Sequence, residues 1–326
     1  MSLKGRNDMD KKLLLIINPR SGKYKSDMFF ERTQKLISSY DYDVDTVLTE
    51  YRGHACELAS NAEGYSRIVC MGGDGTLNEV CNGLMSIPAE RRPQIGYVPC
   101  GSTNDFAAGI GLSKSLNKNI KLAVSDNVNP IDIGLFKNDD GTSRYFSYVA
   151  SFGMFTKFSY STDQSIKNRF GHLAYIFEGL KNISDLQNFK PFKLKVQTAE
   201  SVIEQEYIFG AITNSTSLGG LMKLDKHHVH VNDGVFEILL IRKPENLLAL
   251  TETLSQLLNH KYKFERIIFT HTDNVTLTSY LPLDWTLDGE YAGSTKVAEI
   301  SVQNLAIDFA RQSHIRKKPF MLKKLP

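Results

Sequence analysis

The chain has no long apolar run, little excess charge and few cysteines, and each shortage excludes a class of protein. Its longest unbroken aliphatic stretch is Leu13 to Ile17, far short of the roughly 20 residues that a membrane-spanning helix needs. Lys and Arg number 39 against 36 Asp and Glu, a formal charge of +3. A nucleic-acid partner needs a clustered basic face, so none is expected. The four cysteines, Cys56, Cys70, Cys81 and Cys100, have neither zinc-type paired spacing nor the density of a disulfide scaffold. They are expected to be buried, reduced thiols of a cytoplasmic protein. The charged start, MSLKGRNDMDKK, lacks an apolar core of signal-peptide length, and residues 1 to 10 are set aside from the fold argument. Internal repeats and low-complexity linkers are also missing, so the two halves are expected to share a close interface.

What is present is an ordinary globular composition: 326 residues, 41% hydrophobic and 10% aromatic. This length favours two domains. In the first 135 residues, two periodicities alternate. Leu13–Ile17 forms a continuous aliphatic run ending in Asn18-Pro19, the pattern of a parallel strand buried on both faces. Phe29, Phe30, Leu36 and Ile37 then fall at helical spacing over 27–39. A strand over 44–48, a helix over 53–63, a strand over 67–71, a helix over 76–86, a strand over 95–98 and a helix from Asn104 follow. This alternation predicts a doubly wound parallel α/β domain over 11–135. Ligands of such sheets bind beyond the carboxyl ends of the strands, where this sequence puts Asn18-Pro19, Gly72-Gly73 and Gly101-Ser102.

Beyond about residue 140, short β-branched and aromatic runs (144–152, 192–196, 203–212, 235–241, 266–269, 275–278 and 297–302) are separated by turn residues. They predict a mainly antiparallel β-sandwich over 136–304, interrupted by helices near 171–186 and 245–259. Residues 305–326 are expected to pack back on the first domain.

The strongest local signal is Gly72-Gly73-Asp74-Gly75-Thr76-Leu77-Asn78-Glu79. Three glycines between a buried strand and a helix allow a sharp turn and close approach of the backbone to a ligand. A helix starting near Thr76 aims its N-terminal dipole at the same place, which suits an anion, above all phosphate. Asp74 would repel that anion unless a cation or hydrogen bonds compensate, which points to Mg²⁺ or a catalytic network. Asn18-Pro19-Arg20-Ser21-Gly22-Lys23 offers a hydroxyl, backbone amides and a cation after the first strand. It is not a Walker A loop, because Tyr24 stands where the Mg²⁺-binding Ser or Thr belongs. Gly101-Ser102-Thr103-Asn104-Asp105-Phe106 repeats the pattern after the fourth strand. If the sheet is parallel, all three turns converge.

NPRSGK, GGDGTLNEV and GSTNDFA, in this order, resemble the diacylglycerol kinase catalytic family, which includes bacterial lipid kinases related to sphingosine and ceramide kinases. Asn232-Asp233-Gly234 and Leu287-Asp288-Gly289-Glu290 extend the likeness over about residues 11–310. The resemblance implies ATP between the α/β domain and the sandwich, bound by Asn18, Pro19, Arg20, Ser21 and Gly22, by Thr49, by Gly73, Asp74, Gly75, Thr76, Leu77, Asn78 and Glu79, and by Ser102. It also implies an acidic network of Asp74, Asp105 and Asp132 around the catalytic Mg²⁺, and a general base at either Glu290 or Asp288. A second, structural Mg²⁺ would be held by the Asp233 carboxylate and main-chain oxygens of His230 and Val235. The same likeness suggests a homodimer.

Phosphoryl transfer is mostly positioning and charge neutralisation, and a carboxylate beside the acceptor hydroxyl can take its proton. Asp288 and Glu290 are two residues apart: they share a face on an extended strand but diverge at a turn. Glu290 is the first choice. His227, His228 and His230 match no closed zinc site, and hard Mg²⁺ prefers oxygen to imidazole. Phe152, Phe155, Phe158, Tyr160, Phe170, Tyr175 and Phe177, mixed with Lys157, Lys167, Arg169 and Lys181, suit either a sandwich core or a lipid cleft at a membrane surface. The basic end (Arg311, Arg316, Lys317, Lys318, Lys323, Lys324) is expected to be solvated. The expected function is an ATP- and Mg²⁺-dependent lipid kinase, peripherally bound to the membrane, with diacylglycerol as the leading acceptor. A kinase of another lipid or of a soluble acceptor such as NAD, and a non-catalytic nucleotide-binding regulator, are the alternatives.

Overall fold

A computed structural model describes residues 11–22, 27–153, 190–218, 222–225, 228–259 and 265–312. Among these residues two compact units form, one from those up to Ile133 together with 305–312, the other from Gly134 to Asn304.

The first unit follows the alternation of the sequence: β1 (Lys12–Ile17), α1 (Asp27–Ser38), β2 (Asp43–Leu48), α2 (His54–Ser60), β3 (Arg67–Gly72), α3 (Asp74–Leu84), a 3-10 turn at Ala89–Arg91, β4 (Gln94–Pro99), α4 (Asp105–Gly109) and α5 (Leu116–Ala123). β1 pairs with β2 and with β3, and β3 with β4, every ladder parallel. Leu13, Leu15, Ile17, Val69, Met71 and Val98 are buried between the helical layers with Ile37 and Ile120, which accounts for strands without polar alternation. Phe309, near the end of the long strand β16, pairs in parallel with Ile95 of β4. Its ring packs edge-on against Phe106, centroids 5.3 Å apart.

The second unit is antiparallel. It comprises β6 (Ser143–Phe146), β7 (Val149–Gly153), β8 (Phe192–Gln197), β9 (Val202–Tyr207), β10 (Phe209–Thr213), the short β11 (Ser217–Leu218) and β12 (Met222–Lys223), β13 (Phe236–Ile241), α6 (Leu247–Leu258), β14 (Ile267–Thr272) and β15 (Asn274–Leu287). β5 (Val128–Asn138) and β16 (Glu290–Ala310) carry the chain from one unit to the other. One path of pairing runs β14-β13-β10-β7-β15-β16, with β8 and β9 added to β15. Trp285 is the centre of its core, with ring centroids 4.9 Å from Phe152 and 5.1 Å from Phe136. Asn246 accepts the N–H of Ala249 at 2.9 Å and caps α6, a bond that contributes about 1 kcal/mol.

The structure corrects several expected boundaries. The run 144–152 is two strands, broken at Ser147-Tyr148, whose N–H groups bond to a carboxylate instead of a ladder. The run 203–212 also splits, because the Ile208 N–H turns to the Ile241 carbonyl. β15 and β16 extend far beyond 275–278 and 297–302, and β5 and α5 were not expected at all. The helix expected over 171–186 lies outside the described residues. Among those residues no helix is long and apolar enough to cross a membrane.

Candidate active site

Because β1, β3 and β4 are parallel, the turns that leave their carboxyl ends lie side by side. Asn18 joins the first turn to the helix of the second. Its N–H donates to the Met71 carbonyl at 2.9 Å and its Nδ2 donates to Thr76 Oγ1 at 2.9 Å. Its Oδ1 accepts the Arg20 N–H at 2.9 Å, folding Pro19-Arg20-Ser21 over the strand end. The three turns touch backbone to backbone. A Cβ on Gly73 would meet Gly101 Cα at 3.4 Å, and one on Gly101 would meet Gly73 Cα at 2.8 Å. Gly22 has φ +64°, and a Cβ there would lie 1.6 Å from the Cys100 carbonyl oxygen. No other residue fits. The expected convergence is therefore present within the first unit.

Helix α3 begins at Asp74, with Gly73 as its cap, two residues before the expected Thr76. Asp74 and Gly75 thus belong to the first helical turn, whose N–H groups have no carbonyl partner within the helix. The repulsion expected of Asp74 has a structural answer. Its carboxylate accepts the N–H of Asp105 at 2.9 Å and of Phe106 at 3.3 Å, capping α4. Asp105 is buried beside it. Asp132 is fully buried, and its Oδ1 accepts the Leu305 N–H at 2.6 Å. Arg311, expected in a solvated end, is instead buried; burial lowers its pKa, and the charge of Asp132 opposes that shift.

The remaining nucleotide candidates divide. Thr49 is nearly buried and its N–H bonds to Ile17 O at 2.8 Å, so the end of β2 stands beside the first turn. Ser102 and Arg20 are exposed, whereas Leu77 and Asn78 are buried. The Glu79 carboxylate accepts the N–H of Gly53 at 2.9 Å and of Ala55 at 3.2 Å, so it holds the loop after β2. Lys23 lies outside the described residues.

In the second unit, Asp288 and Gly289 form the two-residue turn between β15 and β16, with φ +50° and +85°. Asp-Gly is the sequence such a turn requires, since both central residues need positive φ. The turn separates the two acids. Asp288 is buried, and one of its oxygens accepts the Ser147 N–H and hydroxyl, both at 2.7 Å. The other accepts the N–H of Tyr148 at 3.0 Å and of Val149 at 3.1 Å. Burial pushes the Asp288 carboxyl up, and these four donors oppose it. Glu290, by contrast, is exposed at the start of β16.

Asp233 Oδ1 accepts the Val235 N–H at 3.3 Å across Gly234, whose φ is +82°. His230 is half-buried; His228 lies edge-on to Phe269 with its Nδ1 3.9 Å from Asp225, and His227 lies outside the described residues. Among the described residues no three His, Cys, Asp or Glu side chains cluster to hold a metal. Glu237, which sequence reasoning missed, is buried on β13, and its Oε2 has no hydrogen-bond partner. Burial and the nearby Asp233 charge raise its pKa well above the usual carboxylate range. The only sequence signal was a lone acid in the run Phe236-Glu-Ile-Leu-Leu-Ile241. Two acids with an orphaned oxygen fit a hard cation at this turn. The aromatic and basic segment over 154–189 and the basic end over 313–326 lie outside the described residues.

Comparisons with known proteins give the family. Residues 12–136 match the diacylglycerol kinase catalytic domain, and residues 149–308 match the YegS C-terminal NAD kinase beta sandwich-like domain. The matched catalytic domain is that of a lipid kinase. The chain belongs to the diacylglycerol kinase catalytic family. A diacylglycerol kinase of Bacillus subtilis (strain 168) is 29% identical over 290 residues, covering 87% of this chain and 91% of that protein. One from Staphylococcus aureus (strain MRSA252) is 28% identical over 289 residues, covering 87% and 88%. A solved diacylglycerol kinase structure from Bacillus anthracis str. Sterne superposes with a TM-score of 0.68 at 19% identity, over 93% of this chain and 97% of that one.

Proposed function

We propose that this lipid kinase transfers the γ-phosphoryl group of ATP to the free hydroxyl of diacylglycerol, giving phosphatidic acid. The observation that carries the reading is the backbone contact of the three turns, where Gly22 and Gly101 have no room for a side chain and the ends of β1, β3 and β4 come together beside the start of α3. The main-chain N–H of Gly22 and those of the first turn of α3 donate to phosphate oxygens, as at other helix N-termini, while the bonds of Asn18, Arg20 and Ser21 shape the first turn. Thr49 and Ser102 border the same strand ends and complete the nucleotide set. Glu290 accepts the proton of the lipid hydroxyl as its oxygen bonds to the γ-phosphorus, and the bond from that phosphorus to ADP breaks. Such base catalysis contributes about 10²- to 10⁴-fold. Mg²⁺ would neutralise the phosphate charge as the reaction proceeds, with Asp74, Asp105 and Asp132 as its acidic surroundings. A second Mg²⁺ would be held by Asp233 and the main-chain oxygens of His230 and Val235, with Glu237 beside it.

The acceptor is a membrane lipid, and the second unit carries a surface suited to reaching it. At the irregularity in β15, Tyr280 and Leu281 are 62% and 74% exposed, beside Lys193, whose ammonium lies 4.9 Å from the Tyr280 ring centre. Glu204 pairs with Lys193 at 3.0 Å and accepts the Tyr280 hydroxyl at 3.0 Å, so Leu281 is the apolar tip this surface offers to a lipid interface. The test supplies labelled ATP and Mg²⁺ with long-chain diacylglycerol in vesicles, with a short-chain soluble diacylglycerol, and with NAD. Label is expected in phosphatidic acid in the first two; label in NADP alone would overturn the reading. Leu281→Asp is expected to lower activity on vesicles several-fold and to leave the soluble acceptor unaffected.

A further inference from the structure

The loop after β2 holds an aromatic pair that no role above uses. Tyr51 is half-exposed and lies flat on His54, ring centroids 4.7 Å apart and planes 8° from parallel. Two hydrogen bonds flank this stack. The Tyr51 hydroxyl donates to Glu57 Oε2 at 2.7 Å, and His54 Nδ1 accepts the Glu50 N–H at 3.1 Å. Gly53, at φ +92°, turns the chain between the two rings. Glu79, one helical stretch beyond the glycine cradle, clamps the loop through the N–H groups of Gly53 and Ala55. A half-exposed aromatic face held this firmly has lost its side-chain entropy before any ligand arrives, which is the condition for tight stacking.

We propose that Tyr51 is the platform on which the purine base of the nucleotide stacks. The inference rests on the nucleotide reading of the glycine cradle. Strand order supplies the position. β2 neighbours β1 and β3 lies on its other side, so the end of β2 stands two strand spacings, about 10 Å, from the β3 turn. A nucleotide with its phosphates on the glycine turns can therefore extend its base toward the β2 loop. Charge supplies the direction. Within residues 49–57 Glu50 and Glu57 stand with Arg52, and Glu79 holds the same loop from α3. These acids disfavour phosphate there and tolerate an uncharged ring with amine donors.

Base–aromatic stacking is commonly worth tenfold or more in affinity. Calorimetric binding of ATP and of tripolyphosphate, each with Mg²⁺, to the full chain and to Tyr51→Ala and Tyr51→Trp tests the assignment. Tyr51→Ala is expected to weaken ATP about tenfold or more, leave tripolyphosphate unchanged, and raise KM for ATP without lowering kcat. Tyr51→Trp should restore ATP affinity and gain a fluorescence signal, quenched by ATP and not by tripolyphosphate, beyond that of the single native Trp285. Equal ATP affinity in wild type and Tyr51→Ala overturns the platform, and so does a parallel loss of both ligands. Failure of the wild type to bind either ligand overturns the nucleotide reading itself, a separate result.

Discussion

The two acids of Leu287-Asp-Gly-Glu290 can be separated by substituting each and measuring stability and turnover together. Asp288→Ala removes the acceptor of four buried donors: three backbone N–H groups and the Ser147 hydroxyl. Each orphaned buried donor costs about 1–3 kcal/mol; the hydroxyl can rotate away and water can enter, so about 4 kcal/mol is expected. Forcing Ala to the φ of +50° found at Asp288 adds about 1 kcal/mol. A sum near 5 kcal/mol is exceptional for one residue. Asp288→Asn isolates the charge. It tolerates positive φ, retains one carbonyl oxygen for two donors and sheds a buried charge, so about 1–2 kcal/mol is expected. Glu290→Gln, at an exposed site, should change stability by less than about 0.5 kcal/mol and slow turnover by about 10²- to 10⁴-fold. Urea unfolding with steady-state assays on soluble diacylglycerol reads both quantities. Asp288→Asn should stay within about tenfold of wild-type turnover once the folded fraction is counted. A stable Asp288→Ala, or a Glu290→Gln that turns over at the wild-type rate, would sink the division of labour.

Gly22→Ala should abolish ATP binding and destabilise the first unit, because its Cβ would lie 1.6 Å from the Cys100 carbonyl oxygen; calorimetry and thermal melts check this, and unchanged binding contradicts the cradle. Glu237 has a folded pKa above its ordinary 4.5. Its contribution is therefore complete below about pH 4.5 and lost as pH rises toward the folded value. Melting curves from pH 5 to 9 without Mg²⁺ should show wild type losing stability with pH relative to Glu237→Gln, and parallel curves would refute the buried acid.

The first unit was legible because its chemistry is local. A strand buried on both faces announces itself by an aliphatic run such as Leu13–Ile17, and three glycine turns after three such runs converge once the ladders are parallel. The helix start was misplaced by two residues because Gly73-Asp74-Gly75 reads as a turn, although Gly75 is tolerated in a first turn that Asp74 stabilises by its charge. The second unit was less legible because its breaks are set from far along the chain. Nothing in Phe146-Ser-Tyr-Val149 says that the strand stops there; the carboxylate of Asp288, about 140 residues later, takes the N–H groups a ladder would have used. For the same reason spacing could not distinguish Asp288 from Glu290. Their difference is the sign of φ at one Asp-Gly turn, which sends the first side chain into the protein and leaves the second at the surface. Glu79 and Glu237 repeat the lesson. Glu79 belongs to the signature motif yet serves the β2 loop, and Glu237 stands in an ordinary aliphatic strand yet keeps an unpaired oxygen in the interior. Motifs marked where the candidate side chains gather, and the hydrogen bonds show what Asp288 and Glu79 already hold in place.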